Sequence, residues 1–178
     1  MTNTNAFVDA LVSSQCSSEL ADADDFFGFL IGNWDVDAVL YDEKGHTDKR
    51  KGEVHASWVL EGRAMQDVFI FPGRADRSSG VPVHGDRYAT TIRTYDRTLK
   101  AWRVNFINPA AAETSAQLIA RRMGNGVEME GTLSDGTRIR WRYINVNNTS
   151  FHYLAEKLNR DGRSWRLYLE LFGTRSTL

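Results

Sequence analysis

Apolar and polar side chains alternate along most of this chain, and that period of two constrains the fold more than any other feature. Between Ala101 and Asn108, for example, Trp102, Val104 and Phe106 alternate with polar residues. Alternation at every second residue is typical of a β-strand with one buried face. The pattern recurs in ten segments, which predicts an all-β chain. The segments cover 34–40, 54–60, 63–71, 86–96, 101–108, 115–122, 127–133, 138–146, 151–158 and 164–172.

Short turns join nearly all of these segments. Residues 124–126 (Gly-Asn-Gly), 134–136 (Ser-Asp-Gly) and 160–162 (Arg-Asp-Gly) are typical hairpin connections. Sequential hairpins make neighbouring strands antiparallel, and the sequence predicts no long helix that could cover a sheet face. A sheet of this kind buries its apolar face by closing on itself. We therefore predict a closed antiparallel up-and-down β-barrel of about ten strands.

The segment before the first strand predicts a short helix and a leader. Apolar residues at Phe26–Ile31 recur at helical spacing, with Asp24 as the expected N-cap and Gly32 as the expected end. Residues 1–24 are polar and become acidic towards their end. We therefore expect a leader over 1–24, followed by one barrel domain over 25–178, since 178 residues favour a single domain.

Charge and cysteine content exclude several classes of protein. Lys and Arg total 22 and Asp and Glu total 23, so the chain lacks the basic excess of a nucleic-acid-binding protein. No apolar stretch approaches the length of a membrane-spanning helix, so no membrane partner is expected. The single cysteine, Cys16, cannot form an intramolecular disulfide, which favours a reducing, cytoplasmic location.

Four short motifs in a fixed order resemble a known superfamily. They are Phe29–Trp34, which contains a G-x-W motif, then Trp58–Arg63, then Tyr95-Asp96 before Trp102, and finally Gly173–Arg175. Together they resemble the lipocalin or calycin superfamily, and more closely the bacterial lipocalin-like domains of the DUF1579 type. The resemblance covers residues 25–176. It implies a ten-stranded barrel related in fold to the haem-binding nitrobindins, and it implies no established activity.

The resemblance also implies a structural role for two residues. Calycins close one end of the barrel with the Trp of the G-x-W motif, which is Trp34 in this chain. They usually lay an Arg from beyond the last strand across that Trp, and Arg175 is similar in its place in the order. We therefore expect barrel closure, and not ligand binding, from this pair.

The alternate placement of aromatic residues predicts that the barrel interior binds a small, largely apolar molecule. A filled barrel that serves as a structural or interaction domain is the alternative, because each of these aromatics would also suit plain core packing. The expected lining residues are Trp58, Tyr88, Trp102, Phe106, Trp141 and Tyr153.

An enzyme is a further alternative, such as a cyclase or isomerase that acts on a hydrophobic metabolite. A buried Glu with an Arg would supply acid–base chemistry inside the barrel, and the candidate catalytic residues are Glu156 and Glu170. Asp67 is another acid in mid-strand. Charged strand residues more often face solvent. That orientation is expected for the mid-strand arginines, Arg93, Arg140 and Arg142.

Haem is considered because of the fold relationship to nitrobindins, and His152 is the strand histidine that could serve as its axial ligand. The nitrobindin motif G-x-W-x-G-x-G is absent, since Asp35, Val36 and Asp37 follow Trp34. No group of residues has the spacing of a zinc site. We therefore expect neither a metal nor a cofactor.

The last predicted strand is apolar on both faces. Trp165, Leu167, Leu169 and Leu171 alternate along one face, while the other face carries Tyr168 and Phe172. With Glu170, these two residues could line either a pocket or a packing surface. A barrel needs only one apolar face, so the surplus indicates that part of the outer wall is covered. The leader or a second copy of the chain could cover it, and we predict a homodimer.

Overall fold

The computed structural model describes residues 5–77, 86–109 and 115–176. These residues contain one short helix, α1 (Ala6–Leu11), two 3-10 turns and eleven strands. The strands are β1 (Val12–Ser13), β2 (Gly32–Tyr41), β3 (Thr47–Val59), β4 (Ala64–Phe71), β5 (Arg87–Asp96), β6 (Ala101–Ile107), β7 (Ser115–Met123), β8 (Gly126–Leu133), β9 (Arg138–Ile144), β10 (Ser150–Leu158) and β11 (Trp165–Arg175).

Strands β2 to β11 form a closed antiparallel barrel. Each strand pairs with its neighbours in the chain, and β11 returns to pair with β2 through Leu169–Leu40 at one end of the ladder and Arg175–Trp34 at the other. Closure leaves no exposed sheet edge, and it buries the inward-facing residues of all ten strands. The prediction of a ten-stranded up-and-down barrel with a short N-terminal helix is confirmed.

The segment before β2 folds differently from the prediction. A single 3-10 turn, Gly28–Leu30, replaces the expected helix at Phe26–Ile31. Its cap is Asp25 and not Asp24, because the Asp25 Oδ1 accepts hydrogen bonds from the backbone N–H groups of Phe27 (3.1 Å) and Gly28 (2.7 Å). The close approach of this carboxylate leaves no room for a Cβ atom at residue 28. The turn directs Phe27 and Leu30 into the core, where both are fully buried.

The described part of the leader packs against the end of the barrel that contains Trp34. Strand β1 pairs with β3 through Val12–Val59. The backbone carbonyl of Asp24 accepts a hydrogen bond of 2.7 Å from the Trp102 indole, and that of Asp25 accepts one of 2.8 Å from Arg122. This end of the barrel, referred to below as the closed end, is therefore covered. No helix in the described ranges is long and apolar enough to cross a membrane.

A β-bulge changes which residues of β11 face the interior. The register between β10 and β11 shifts between Ala155 and Glu156, so Tyr168 is the extra residue of the bulge, between Leu167 and Leu169. Tyr168 and Leu169 consequently both point inward, while Trp165 lies outside beneath the Arg140 guanidinium at 4.5 Å. The expectation that 165, 167, 169 and 171 share one face is therefore wrong. Phe172 is 44% exposed on the outer wall, and the homodimer stays a prediction.

An ion pair ties the segment after β4 to the outer face of β3. The Glu53 carboxylate accepts hydrogen bonds from the Arg74 side chain at 2.9 and 3.0 Å and from the Arg74 backbone at 2.7 Å. These bonds lower the pKa of Glu53 from 4.5 to about 2 and outweigh the opposite effect of burial. His55 Nε2 lies 2.7 Å from the same carboxylate and also lowers the pKa of Glu53.

This lowered pKa predicts a pH dependence of stability. A carboxyl group whose pKa is lower in the folded state stabilises the fold above its unfolded pKa, and it loses that contribution as the pH falls. We expect Glu53→Gln to lower the melting temperature at pH 7 and to reduce the loss of stability between pH 4.5 and about 2. Thermal melts across that range test this, with the exposed Glu61→Gln as control. An unchanged slope in Glu53→Gln would show that the pair contributes nothing.

Candidate functional site

A cavity of about 40 Å³ lies inside the barrel, between its middle and the end opposite Trp34. A buried water needs about 10–15 Å³ of such space, so the cavity as it stands has room for only a few water-sized groups. A larger ligand would have to displace side chains such as Phe106 and Tyr168, which are half-buried. The aromatic side chains that line the cavity are Phe69, Phe106, Trp141, Tyr143, Tyr153 and Tyr168.

A buried ion pair forms one wall of this cavity. Asp67 of β4 and Arg93 of β5 are only 2% and 3% exposed, and the Arg93 Nη1 lies 2.6 Å from the Asp67 Oδ2. The guanidinium also lies 4.9 Å from the ring of Phe27. Arg93 was expected to face solvent, and that expectation is wrong. Arg93 pairs in the β4–β5 ladder with Met65, which is fully buried, so the register directs the arginine inward.

Each member of the ion pair has an atom available for a further hydrogen bond. Among the described residues, neither the Asp67 Oδ1 nor the Arg93 Nε has a hydrogen-bond partner. Both atoms are fully buried, and both residues line the cavity. Buried polar groups are nearly always hydrogen-bonded, because an unpaired one costs about 1–3 kcal/mol. The two atoms therefore belong to a polar wall of a cavity whose other walls are mainly apolar and aromatic.

Two tyrosine hydroxyls of the cavity, those of Tyr143 and Tyr153, are held in the neutral form by burial. Burial raises the pKa of Tyr143 well above its ordinary value of 10.0, and the nearby Arg93 charge only partly offsets this. Burial raises the pKa of Tyr153 in the same way. Burial lowers the pKa of Arg93, but the Asp67 carboxylate together with Tyr143 and Tyr153 raises it by more, so the guanidinium stays charged. Both hydroxyls are therefore protonated at neutral pH.

The predicted lining residues divide into three groups. Phe106, Trp141 and Tyr153 line the cavity. Trp58 and Trp102 instead pack together at the closed end, with ring centroids 6.4 Å apart. Tyr88 forms the third group, and its prediction as a lining residue is wrong. It is 46% exposed on the outer wall, because the inward positions of β5 are 89, 91 and 93.

Three aromatic residues of the cavity wall, Phe69, Tyr143 and Tyr168, were not among the predicted lining residues. Tyr143 shares the inward face of β9 with Trp141, so the alternation Ile139, Trp141, Tyr143 contained the signal for it. For Tyr168 the sequence left a pocket and a packing surface open, and the β-bulge against β10 turns it into the cavity. Its hydroxyl accepts a hydrogen bond of 2.8 Å from the Trp141 indole, which joins the two walls of the cavity.

The candidate catalytic residue Glu156 lies on the outer wall. Its Oε2 accepts hydrogen bonds from Arg140 Nε (2.9 Å) and Arg142 Nη2 (2.8 Å), both of which also point outward. These arginines alternate along β9 with Trp141 and Tyr143, whose side chains point inward. Glu156 is therefore not positioned for acid–base chemistry inside the barrel.

Glu170 and His152 also face outward. The Glu170 carboxylate accepts a hydrogen bond of 2.7 Å from the Tyr41 hydroxyl and lies 2.6 Å from His152 Nε2. The hydrogen bond to Glu170 raises the pKa of Tyr41. The His152 ring stacks on Phe172 at 4.5 Å. Glu170 is thus not an interior catalytic group, and His152 cannot serve as an interior haem ligand.

Trp34 and Arg175 lie together at the closed end, away from the cavity. The Arg175 guanidinium lies 4.2 Å from the centre of the Trp34 ring and donates hydrogen bonds to the backbone carbonyls of Ile31 and Phe29 at 2.8 and 2.9 Å. The Trp34 indole donates to the carbonyl of Leu30 at 2.8 Å. Within the described ranges, no three His, Cys, Asp or Glu side chains converge on a metal site.

The fold is similar to those of two solved structures. One is the S-type phycobiliprotein lyase CPES from Guillardia theta, with a TM-score of 0.59, 6% sequence identity and coverage of 89% of this chain and 94% of that one. The other is Rv2717c from M. tuberculosis, with a TM-score of 0.58, 13% identity and coverage of 89% and 99%. At these identities the likeness shows the fold alone.

No protein-family model matches the chain, and no curated protein matches it. The closer resemblance to bacterial domains of the DUF1579 type therefore stays a prediction.

Proposed function

We propose that this barrel binds a small, largely apolar molecule in the cavity between its middle and the end opposite Trp34. The observation that carries the proposal is a cavity that combines aromatic walls with one buried polar wall, Asp67 and Arg93. Ligand pockets commonly have this composition, in which apolar walls supply affinity and a few polar groups fix orientation. A barrel filled only for stability has no need of a buried ion pair with spare hydrogen-bonding atoms.

Binding requires the cavity to expand. At about 40 Å³ it is smaller than a benzene-sized ligand, so Phe106 and Tyr168 would have to rotate towards the mouth of the barrel. The free energy of that opening lowers the apparent affinity, because only the open fraction of molecules is competent to bind. The proposal therefore favours a ligand of one ring or a short chain over a large one.

The structural neighbours support the proposal only at the level of architecture. One of them is named as a phycobiliprotein lyase, so a barrel of this shape serves a biochemical activity in that protein. The identity of 6% carries none of that activity over to this chain. The present proposal therefore rests on the chain's own cavity.

Toluene is a suitable first probe, because it is apolar and has a single ring. We expect toluene to bind the wild-type protein in isothermal titration calorimetry and to raise its melting temperature. Leu133→Phe, which adds bulk to the cavity wall, should weaken toluene binding at least about tenfold, while overpacking itself costs roughly 1–3 kcal/mol of stability. Leu99→Phe, at an exposed turn residue, is the matched control and should bind toluene like the wild type.

Two results would overturn the proposal. One is the absence of toluene binding to the folded wild-type protein at millimolar concentration. The other is equal binding by Leu133→Phe and Leu99→Phe, which would place the binding site elsewhere.

A further inference from the structure

We infer that the ligand of this cavity is a neutral molecule whose hydroxyl group, attached to an apolar ring, donates a hydrogen bond to the Asp67 Oδ1. This inference rests on the proposed function and specifies the chemistry of the ligand. It follows from three properties of the site: the type of the spare hydrogen-bonding atoms, the net charge of the ion pair and the shape of the walls.

The spare atoms determine which hydrogen bonds the ligand must make. The Asp67 Oδ1 is a carboxylate oxygen and can only accept, whereas the Arg93 Nε–H can only donate. A ligand that carries only an acceptor, such as an ether or a ketone, would leave the Oδ1 unpaired. A hydroxyl group both donates and accepts through a single oxygen, so it can serve both atoms within a small volume.

The ion pair carries no net charge, and this determines which charge the neighbouring part of the ligand can have. Asp67 and Arg93 lie 2.6 Å apart, and each neutralises the other. Among the described lining residues, Arg87 is the other charged one. It lies at the start of β5 and is only partly buried. A carboxylate next to the pair would add a second negative charge beside Asp67 in a desolvated site, which is costly. A neutral group avoids that cost.

The walls favour a flat ring. Trp141 meets Phe106 edge to face, with ring centroids 5.3 Å apart at 85°. Tyr153 lies 6.3 Å from Trp141 and 4.9 Å from Tyr143. An aromatic ligand inserted among these rings can make further edge-to-face contacts, which stabilise the complex beyond the burial of apolar area. A saturated chain would be stabilised only by the burial of its apolar surface.

Four probes of similar size separate these requirements: toluene, p-cresol, 4-methylanisole and 4-methylbenzoate. We expect p-cresol to bind the wild-type protein about tenfold or more tightly than toluene, as a hydrogen bond to a charged acceptor implies. We expect 4-methylanisole, which accepts but cannot donate, to bind no better than toluene. We expect 4-methylbenzoate, which is anionic at pH 7, to bind more weakly than p-cresol. Isothermal titration calorimetry measures all four.

A charge-free variant provides the matched control on the protein side. Asp67→Leu combined with Arg93→Met removes both spare atoms without leaving a lone buried charge. We expect this double variant to bind toluene and p-cresol with similar affinities, because the preference for the donor comes from Asp67.

The outcomes separate failure of the neutral-donor inference from failure of the proposed function. If toluene does not bind the wild-type protein, the proposed function fails, and the inference that rests on it fails with it. If toluene binds but p-cresol binds no better, or if 4-methylbenzoate binds most tightly, the proposed function stands and the neutral-donor inference is wrong. A preference for p-cresol that persists in the double variant would also overturn the inference.

Discussion

Arg93→Met should lower the free energy of unfolding by about 3–5 kcal/mol, because it leaves the Asp67 carboxylate charged and buried without its partner. Asp67 is 2% exposed, and its Oδ2 lies 2.6 Å from the Arg93 Nη1. Losing that partner also removes the guanidinium from the face of Phe27, at 4.9 Å. Urea denaturation with linear extrapolation measures the change.

The double variant Asp67→Leu, Arg93→Met is the informative companion. Replacing both members of a buried ion pair by apolar side chains of similar size is often neutral or stabilising. We therefore expect the double variant to recover most of the stability that Arg93→Met loses. Such recovery would indicate that the pair is not required for the fold, which is in line with a role in binding. A double variant that is no more stable than Arg93→Met would contradict this account.

Trp34→Ala should also lower the free energy of unfolding by about 3–5 kcal/mol, as expected when a fully buried Trp is truncated. Trp34 has no exposed surface, lies under the Arg175 guanidinium at 4.2 Å and contacts the ring of Phe151 at 4.9 Å. The truncation would leave a cavity at the closed end and remove the indole hydrogen bond to Leu30. Urea denaturation measures this loss as well.

Phe172→Ala provides the comparison for Trp34, because it truncates an aromatic residue on the outer wall that is 44% exposed. We expect it to cost less than about 1 kcal/mol, as is usual at surface positions. If Trp34→Ala cost as little as Phe172→Ala, Trp34 would not close the barrel in the way described.

The fold was predictable because its main signal is local. The period of two in segments such as Ile139–Tyr143 requires no knowledge of distant residues. Short turns then limit the strand pairing to chain neighbours, and closure of the sheet follows from the lack of a covering helix. The closed end was located through the resemblance to calycins, which the G-x-W motif Gly32-Asn33-Trp34 carries.

The site was less predictable because it depends on pairing between strands. A charged residue in a strand usually faces solvent, and nothing local distinguishes Arg93 from Arg140, which does face outward. Only the register of β4 against β5 brings Arg93 next to Asp67. The inward position of Tyr168 stayed open for a related reason, because the β-bulge depends on β10.

The central claim is that ligands enter the barrel interior beside the ion pair, and the indole N–H signals of the five tryptophans test it most directly. Trp141 lines the cavity and donates to Tyr168 at 2.8 Å, whereas Trp34 lies at the closed end. In a toluene titration followed by ¹H–¹⁵N correlation spectra, we predict that the Trp141 indole signal shifts and that of Trp34 stays in place. An unchanged Trp141 signal, or shifts confined to the outer-wall Trp165, would contradict the claim.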